Sequence, residues 1–391
     1  MIPIYDLSIA RYTSSAINAI TSGRISYQGE YINLVETQLK TLMNSKYCIL
    51  MANGTCATHC MVLSLKYKHP NVQTVFVSNN SYVAAWNSVL SEYNINQIRV
   101  MKMNIDTWNI STDAEYINSL DKHSAVLIVH NLGNIVDVPR LKELRPDLVF
   151  LEDNCEGLFG KYGEVYSGTS DASLCSSCSF FANKIITSGE GGAFFTQHDD
   201  VYNYIKSAYS QGVSNEKYLH DMLACNYRMT NMQAGLLYEQ LGDIRNILDN
   251  KRNLFRRYEE LLFHLTNARK VILMVTERKT TAAPWIFALR IVNNRKTIVE
   301  TVDFFKRKNV DIRPFFYPIN RHGHLRTIPN HDQVSTLLNK EVVMIPSSPE
   351  MPFAHQQQVV DAISSFISAN VDPYESQSDP EIPDSRSTQS G

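Results

Sequence analysis

The chain has 391 residues, enough for two domains that share a sizeable core. Its formal net charge is -2, so no overall basic field points to nucleic acid, and no run approaches the ~20 apolar residues that span a bilayer. Residues 1–10 lack a basic stretch followed by an apolar one, so no secretory signal is expected, and seven scattered cysteines fit a reducing, cytoplasmic setting better than a disulfide framework.

Residues 1–45 are helix-like but irregular, with Leu34, Val35 and Leu39 at helical spacing. Short apolar runs then recur at Tyr47–Met51, Thr74–Ser78, Ile98–Met101, Ala125–Val129 and Leu148–Leu151. Helix-length segments such as Thr55–Leu65 and Tyr82–Tyr93 separate them. Alternation of this kind predicts an α/β domain whose mainly parallel sheet is buried on both faces. Two further β-like runs, Ala172–Phe181 and Gly192–Thr196, flank a polar, glycine-rich loop. The C-x-x-C of Cys175 and Cys178 has no second pair at zinc-site spacing, so it reads as buried structural thiols, and no metal site is expected. From Met229 a single long amphipathic helix is expected to run through Leu262 into a second domain. That domain should hold strands near Val271–Val275 and Trp285–Val292, a helix near Thr297–Lys308 and a last helix near Gln356–Ser368. The expected division is a large domain over residues 1–245, a smaller α+β domain over 246–370, and a disordered Ser-, Asp- and Pro-rich tail over 371–391.

Three pieces carry chemistry. Asn53-Gly54-Thr55 sits where a strand turns into a helix, and the free amides and dipole of a helix start favour a phosphate. Taken alone, the same turn is explained by Thr55 as a helix cap. Asp153 follows the strand Leu148–Leu151, at the end where open parallel sheets bind ligands. A carboxylate there can hold a protonated ring nitrogen, or merely cap a helix. Lys184 closes the run Ser179-Phe180-Phe181-Ala182-Asn183-Lys184 and is followed by Thr187-Ser188-Gly189-Glu190-Gly191-Gly192. A Schiff-base lysine needs such a loop, although most loop lysines are only solvated charges.

Together these pieces resemble the DegT/DnrJ/EryC1/StrS family of nucleotide-sugar aminotransferases. The resemblance runs from about Ile25 to Phe366. It also takes in Ser26-Tyr27-Gln28-Gly29-Glu30-Tyr31, Glu152-Asp153-Asn154-Cys155-Glu156-Gly157, Asn226-Tyr227-Arg228-Met229 with Gln233-Ala234-Gly235, and Arg313-Pro314-Phe315-Phe316-Tyr317-Pro318. Within the family the Glu152 and Ser179 runs look most like perosamine and viosamine synthases. The resemblance implies the fold-type I, aspartate aminotransferase-like architecture of pyridoxal 5'-phosphate (PLP) enzymes.

It also implies roles. Lys184 would form the Schiff base with PLP, and Asp153 would pair with the ring nitrogen. Glu156 would lie near the phenolic oxygen, where many relatives carry Gln or His. Tyr82 would stack on the ring; otherwise it reads as a core aromatic at a helix start. Gly54, Thr55 and Ser179 would hold the phosphate, with Asn226 reaching it from the partner subunit of a homodimer whose active site lies at the subunit interface. Arg228, Arg313 and Tyr317 are candidates for the sugar-nucleotide side. The implied reaction converts a nucleotide-linked 4-keto-6-deoxy sugar to its 4-amino form with L-glutamate as donor. The alternatives are transamination at C3 and a non-catalytic binding or regulatory protein on the same fold. PLP-dependent sugar dehydratases of the family carry His in place of the lysine. Departures from the family pattern stand at Ser78, Ala224-Cys225, Asn320 and the stretch His130-Asn131-Leu132-Gly133-Asn134.

Overall fold

A computed structural model of the chain describes residues 1–214, 216 and 218–370. The tail expected over 371–391 lies outside the described residues. The helices used below are α1 (Ser14–Thr21), α2 (Glu30–Met43), α3 (Gly54–Lys68), α4 (Val83–Leu90), α5 (Asn231–Gly242), α6 (Ile244–Asn267), α7 (Ile298–Arg307) and α8 (Phe353–Ala369).

The main sheet has seven strands: β1 (Tyr47–Met51), β2 (Val75–Ser78), β3 (Ile98–Met101), β4 (Ala125–Val129), β5 (Val149–Asp153), β6 (Cys175–Ser179) and β7 (Gly192–Thr196). Their order across the sheet is β1-β7-β6-β5-β4-β2-β3. The pairs from β3 through β6 are parallel, and β7 runs antiparallel to both β1 and β6. Successive side chains on a strand point to opposite faces. Ile49 and Met51 of β1 join Leu127 and Val129 of β4 in one apolar cluster beside α3 and α4. Cys48 and Leu50 join Cys178, Phe195 and residues of α2 and α5 in another, while Val126 and Ile128 pack under a third. The sheet is therefore buried on both faces, as the near-continuous apolar runs predict. Cys175 and Cys178 fall into different clusters, on opposite faces of β6, and all seven cysteines are free.

A second sheet, of β8 (Val271–Leu273), β9 (Ala288–Ile291), β10 (Arg313–Pro314) and β11 (Val342–Met344), has the order β8-β9-β11-β10 with antiparallel pairs. It packs with α6, α7 and α8 around Tyr258, Phe305 and Phe366. No helix among the described residues is long and apolar enough to cross a membrane.

Three expectations are corrected. The long helix is interrupted: α5 ends at Gly242, and Asp243 has left helical dihedrals to accept the Tyr12 hydroxyl at 2.6 Å. Glycine and a side chain that competes for local hydrogen bonds explain the break. The strand expected over Leu148–Leu151 extends to Asp153, because Val129 and Ser177 on either side continue the ladder. The strand expected from Trp285 starts only at Ala288, since Trp285 turns away to the cavity described next.

Candidate active site

The parallel strands β4, β5 and β6 end together, and the start of β7 lies beside them, with Ser179 paired to Gly192. A cavity of about 720 Å³ opens outside this edge. Gly54, Thr55, Tyr82, Asp153, Glu156, Ser179, Lys184 and Arg313 all line it, with Trp285 and Phe316 from the second-domain side. Eight of the residues singled out in the sequence thus meet at one place.

Asn53 caps α3, its side-chain oxygen accepting the Cys56 amide at 2.9 Å, so the cap is Asn53 and not Thr55. The amides of Gly54 and Thr55 have no intrahelical acceptor and stand at the cavity wall. Backbone and side chains crowd here. A Cβ on Gly54 would fall 2.8 Å from the Cβ of Ser179, and one on Gly192 would fall 2.5 Å from the Asn53 carbonyl oxygen. This is a cradle that only glycine fits.

Asp153 is buried, and one of its carboxylate oxygens accepts the Cys155 amide at 3.0 Å. Its neighbour Glu152 lies outside the cavity lining and is fully buried. There it accepts from His130 Nε2 at 3.0 Å, from the Gly168 amide at 2.9 Å and from the Tyr162 hydroxyl at 3.3 Å. His130 Nδ1 accepts the Val136 amide at 3.1 Å, so the network assigns the proton to Nε2. A neutral imidazole thus ties the loop after β4 to the end of β5. That loop carries Leu132 at φ 54° and Gly133 at φ 84°. It delivers the Leu132 amide to the Glu156 carboxylate at 2.8 Å. Burial pushes the Glu156 carboxyl up to about 7, opposed by the charge of Lys184 and by that amide. The stretch that departs from the family pattern is therefore the one that holds Glu156.

The remaining candidates are scattered. Tyr82 begins α4 and is 62 % exposed, so it is a wall of the cavity mouth and not a core aromatic. Arg313 is exposed at the rim and paired with Asp311 at 2.7 Å. Tyr317 lies outside this cavity, in a neighbouring cleft of about 760 Å³ with Arg321 and Lys340. Asn226 is exposed and accepts from Arg228 Nε at 2.8 Å; the Arg228 guanidinium stacks 4.1 Å over the Tyr27 ring. Neither lines the cavity of this chain.

Sequence reasoning missed Trp285, Tyr5 and Lys251, and gave His130 only as part of a stretch that departs from the family pattern. Lys251 had a usable signal. It sits at helical spacing among Ile244, Ile247, Leu248, Leu254 and Tyr258, on the buried face of α6. Trp285 and Tyr5 had none, because their neighbours come from distant parts of the chain.

Residues 9–364 match the family described as the DegT/DnrJ/EryC1/StrS aminotransferase family. GDP-perosamine synthase of Escherichia coli O157:H7 is 26% identical over 371 residues, covering 94% of this chain and 99% of that protein. Among solved structures, a DegT DnrJ EryC1 StrS aminotransferase from Brucella abortus superposes with a TM-score of 0.81 at 19% identity, covering 94% of this chain and 99% of that one. An E. coli GDP-4-keto-6-deoxy-D-mannose-3-dehydratase with bound hydrated PLP gives a TM-score of 0.81 at 18% identity, covering 93% and 99%.

Proposed function

Because the chain belongs to the DegT/DnrJ/EryC1/StrS aminotransferase family, we propose that it moves an amino group from L-glutamate to C4 of a nucleotide-linked 4-keto-6-deoxy sugar. The product is the 4-amino-4,6-dideoxy sugar, of perosamine or viosamine type. The chain is an enzyme of the PLP-dependent sugar aminotransferase kind, and its cofactor is pyridoxal 5'-phosphate. The likeness to GDP-perosamine synthase supports the C4 reading, and one structural observation supports the cofactor chemistry: a phosphate cradle, a carboxylate and a lysine share one cavity wall.

The residues fit the cofactor. The glycine cradle at Gly54 and Gly192, with the amides of Gly54 and Thr55 and the Ser179 hydroxyl, would hold its phosphate. When bound, PLP supplies a protonated ring that accepts charge from the carbon losing its proton. The Asp153 carboxylate would keep that ring nitrogen protonated through a charge-assisted hydrogen bond. Tyr82, at the cavity mouth, would stack on the ring. Glu156, with its carboxyl near neutrality, can keep a proton beside the phenolic oxygen and donate it as a hydrogen bond. The Lys184 amine is the acid and base: it removes the α-proton of the amino donor and delivers a proton in return, in reverse order for the sugar. The two half-reactions use one site in turn, so ping-pong kinetics follow.

Arg228, Arg313 and Tyr317 are assigned to the sugar nucleotide, since a planar guanidinium suits a diphosphate. The site is completed by a second copy of the chain, which brings Asn226. In support, Ile17, Ile20, Ile25 and Leu223 are exposed apolar residues, Leu223 fully so. The same reading keeps the domain division at residues 245/246 and a cytoplasmic setting, which seven free cysteines support.

The test is product identification. The purified protein is given L-glutamate with GDP-, UDP- or dTDP-linked 4-keto-6-deoxy sugars, and the product is read by NMR. An amine at C4 with one of them is expected. An amine at C3, or loss of a ring hydroxyl, would overturn the assignment.

A further inference from the structure

Lys184 is held by residues that this chemistry leaves unused. The indole Nε1–H of Trp285 donates to the Asn183 carbonyl at 2.8 Å. The Tyr5 hydroxyl donates to the carbonyl of Lys184 itself at 3.0 Å. At the other end of the side chain, Lys184 Nζ rests 3.8 Å from the centroid of the Trp285 ring. One tryptophan therefore grips both the backbone just before the lysine and its amine. Trp285 is buried and lines the same cavity as Lys184, so the seat and the reaction space adjoin.

Behind this pair lies Lys251, a fully buried lysine on the apolar face of α6. Burying an ammonium is costly, and Lys251 has only neutral acceptors. Its Nζ donates to the carbonyls of Trp285 and Ser347 and lies 4.8 Å from the Tyr5 ring centroid. Burial drives its pKa well below the ordinary lysine value. The residue thus links the backbone of Trp285 to the ring of Tyr5, the two residues that hold Lys184. The N-terminal segment is fastened on the same side, with the Ser347 amide donating to the Ile4 carbonyl at 2.9 Å and the Asp6 amide to the Ser348 hydroxyl at 2.7 Å.

An ammonium is attracted to the face of an aromatic ring, most strongly to indole. A lysine that must leave the cofactor and return to it needs a place to wait. We propose that Trp285, fixed by Lys251, is the seat on which the Lys184 amine rests whenever it is not joined to the cofactor. Trp285 is a positioning residue: it sets where the amine starts each return, and Tyr5 holds the backbone from which it swings. The proposal rests on Lys184 being the cofactor's lysine.

The test uses the full chain freed of cofactor. Its lysines are reductively methylated with ¹³C, and the Lys184 signal is assigned by its loss in Lys184→Arg. Ring current from the indole face should place that signal upfield of the other exposed lysines. Trp285→Phe keeps a ring face and should retain part of the upfield shift. Trp285→Leu should return the signal to the main lysine cluster. A wild-type Lys184 signal already within that cluster overturns the seat, whether or not the Leu variant folds. An upfield signal that Trp285→Leu leaves in place overturns it too. Visible absorption on adding PLP to unmodified samples tests the underlying reading separately. Absorption with an unshifted Lys184 sinks the seat alone, and a shifted Lys184 that never gives absorption sinks the cofactor assignment and, with it, the role of the seat, leaving only the contact.

Discussion

The cavity wall made by Gly54, Asp153, Ser179 and Lys184 closes within one chain, whereas Asn226, Arg228 and Tyr317 stand outside that cavity. Behind the first side, Glu152 alone receives His130, Gly168 and Tyr162. On the second, Arg228 leans on Tyr27 and Asn226 with solvent around it. The contrast teaches where each function's precision comes from. Cofactor chemistry needs fixed groups, and we place it at the buried sheet edge. Recognition of a large, charged substrate is assigned in our proposal to the half-buried Arg228 and the exposed Arg313, which a second copy of the chain would organise.

If the buried wall is where chemistry resides, its loss should be felt most. Lys184→Ala should lower turnover by about a thousandfold or more, since it removes the acid and base together. Steady-state rates on the identified sugar nucleotide check this. Full activity would transfer the chemistry elsewhere in the cavity.

The saturated carboxylate behind the wall should be the next most sensitive. Glu152→Gln replaces with a neutral amide the carboxylate on which three donors converge, so the bonds from His130 and Gly168 lose their charged acceptor. A cost of about 2–3 kcal/mol is expected. Denaturant unfolding of the cofactor-free protein measures it, and a change within about 0.5 kcal/mol would mean the network adds nothing.

Glu156 sharpens the comparison through pH. Its carboxyl sits near 7 in the fold against an ordinary 4.5. The folded protein therefore holds this proton more tightly than the unfolded chain. The associated stability is complete below about pH 4.5 and lost as pH rises through about 7, roughly 3 kcal/mol in all. Unfolding measured at about pH 5 and about pH 8 should show the wild type losing about 2–3 kcal/mol more than Glu156→Gln. Parallel curves for the two proteins would contradict the raised carboxyl.

The exposed side should respond least. Arg228→Ala is expected to raise KM for the sugar nucleotide by about tenfold while leaving kcat and the unfolding midpoint unchanged. A fall in kcat instead would draw Arg228 into the chemical half.

The same contrast explains what could be read in advance. The strands β1, β4 and β7 match their runs residue for residue, because a sheet covered on both faces leaves a near-continuous apolar signal, and the edge strand β3 matches too although Arg99 is exposed. Asp153, Lys184 and the glycine cradle were legible because each is tied to a strand end by local sequence. The break at Gly242–Asp243 was not, since it depends on Tyr12, far away in the chain. Nor were the loop at Leu132 and the grip of Trp285 and Tyr5 on Lys184. They arise from long-range hydrogen bonds and a left-handed backbone at a leucine, for which local propensity carries no mark.

The central claim is that Lys184 carries a working cofactor for amino transfer. The direct measurement is the absorption spectrum of the purified protein with PLP, taken before and after L-glutamate is added, beside Lys184→Ala. The wild type should be yellow and bleach to a near-ultraviolet band with glutamate, while the variant gives no such conversion. A wild-type protein that stays colourless after PLP is supplied, or a Lys184→Ala protein that converts as the wild type does, would contradict the account.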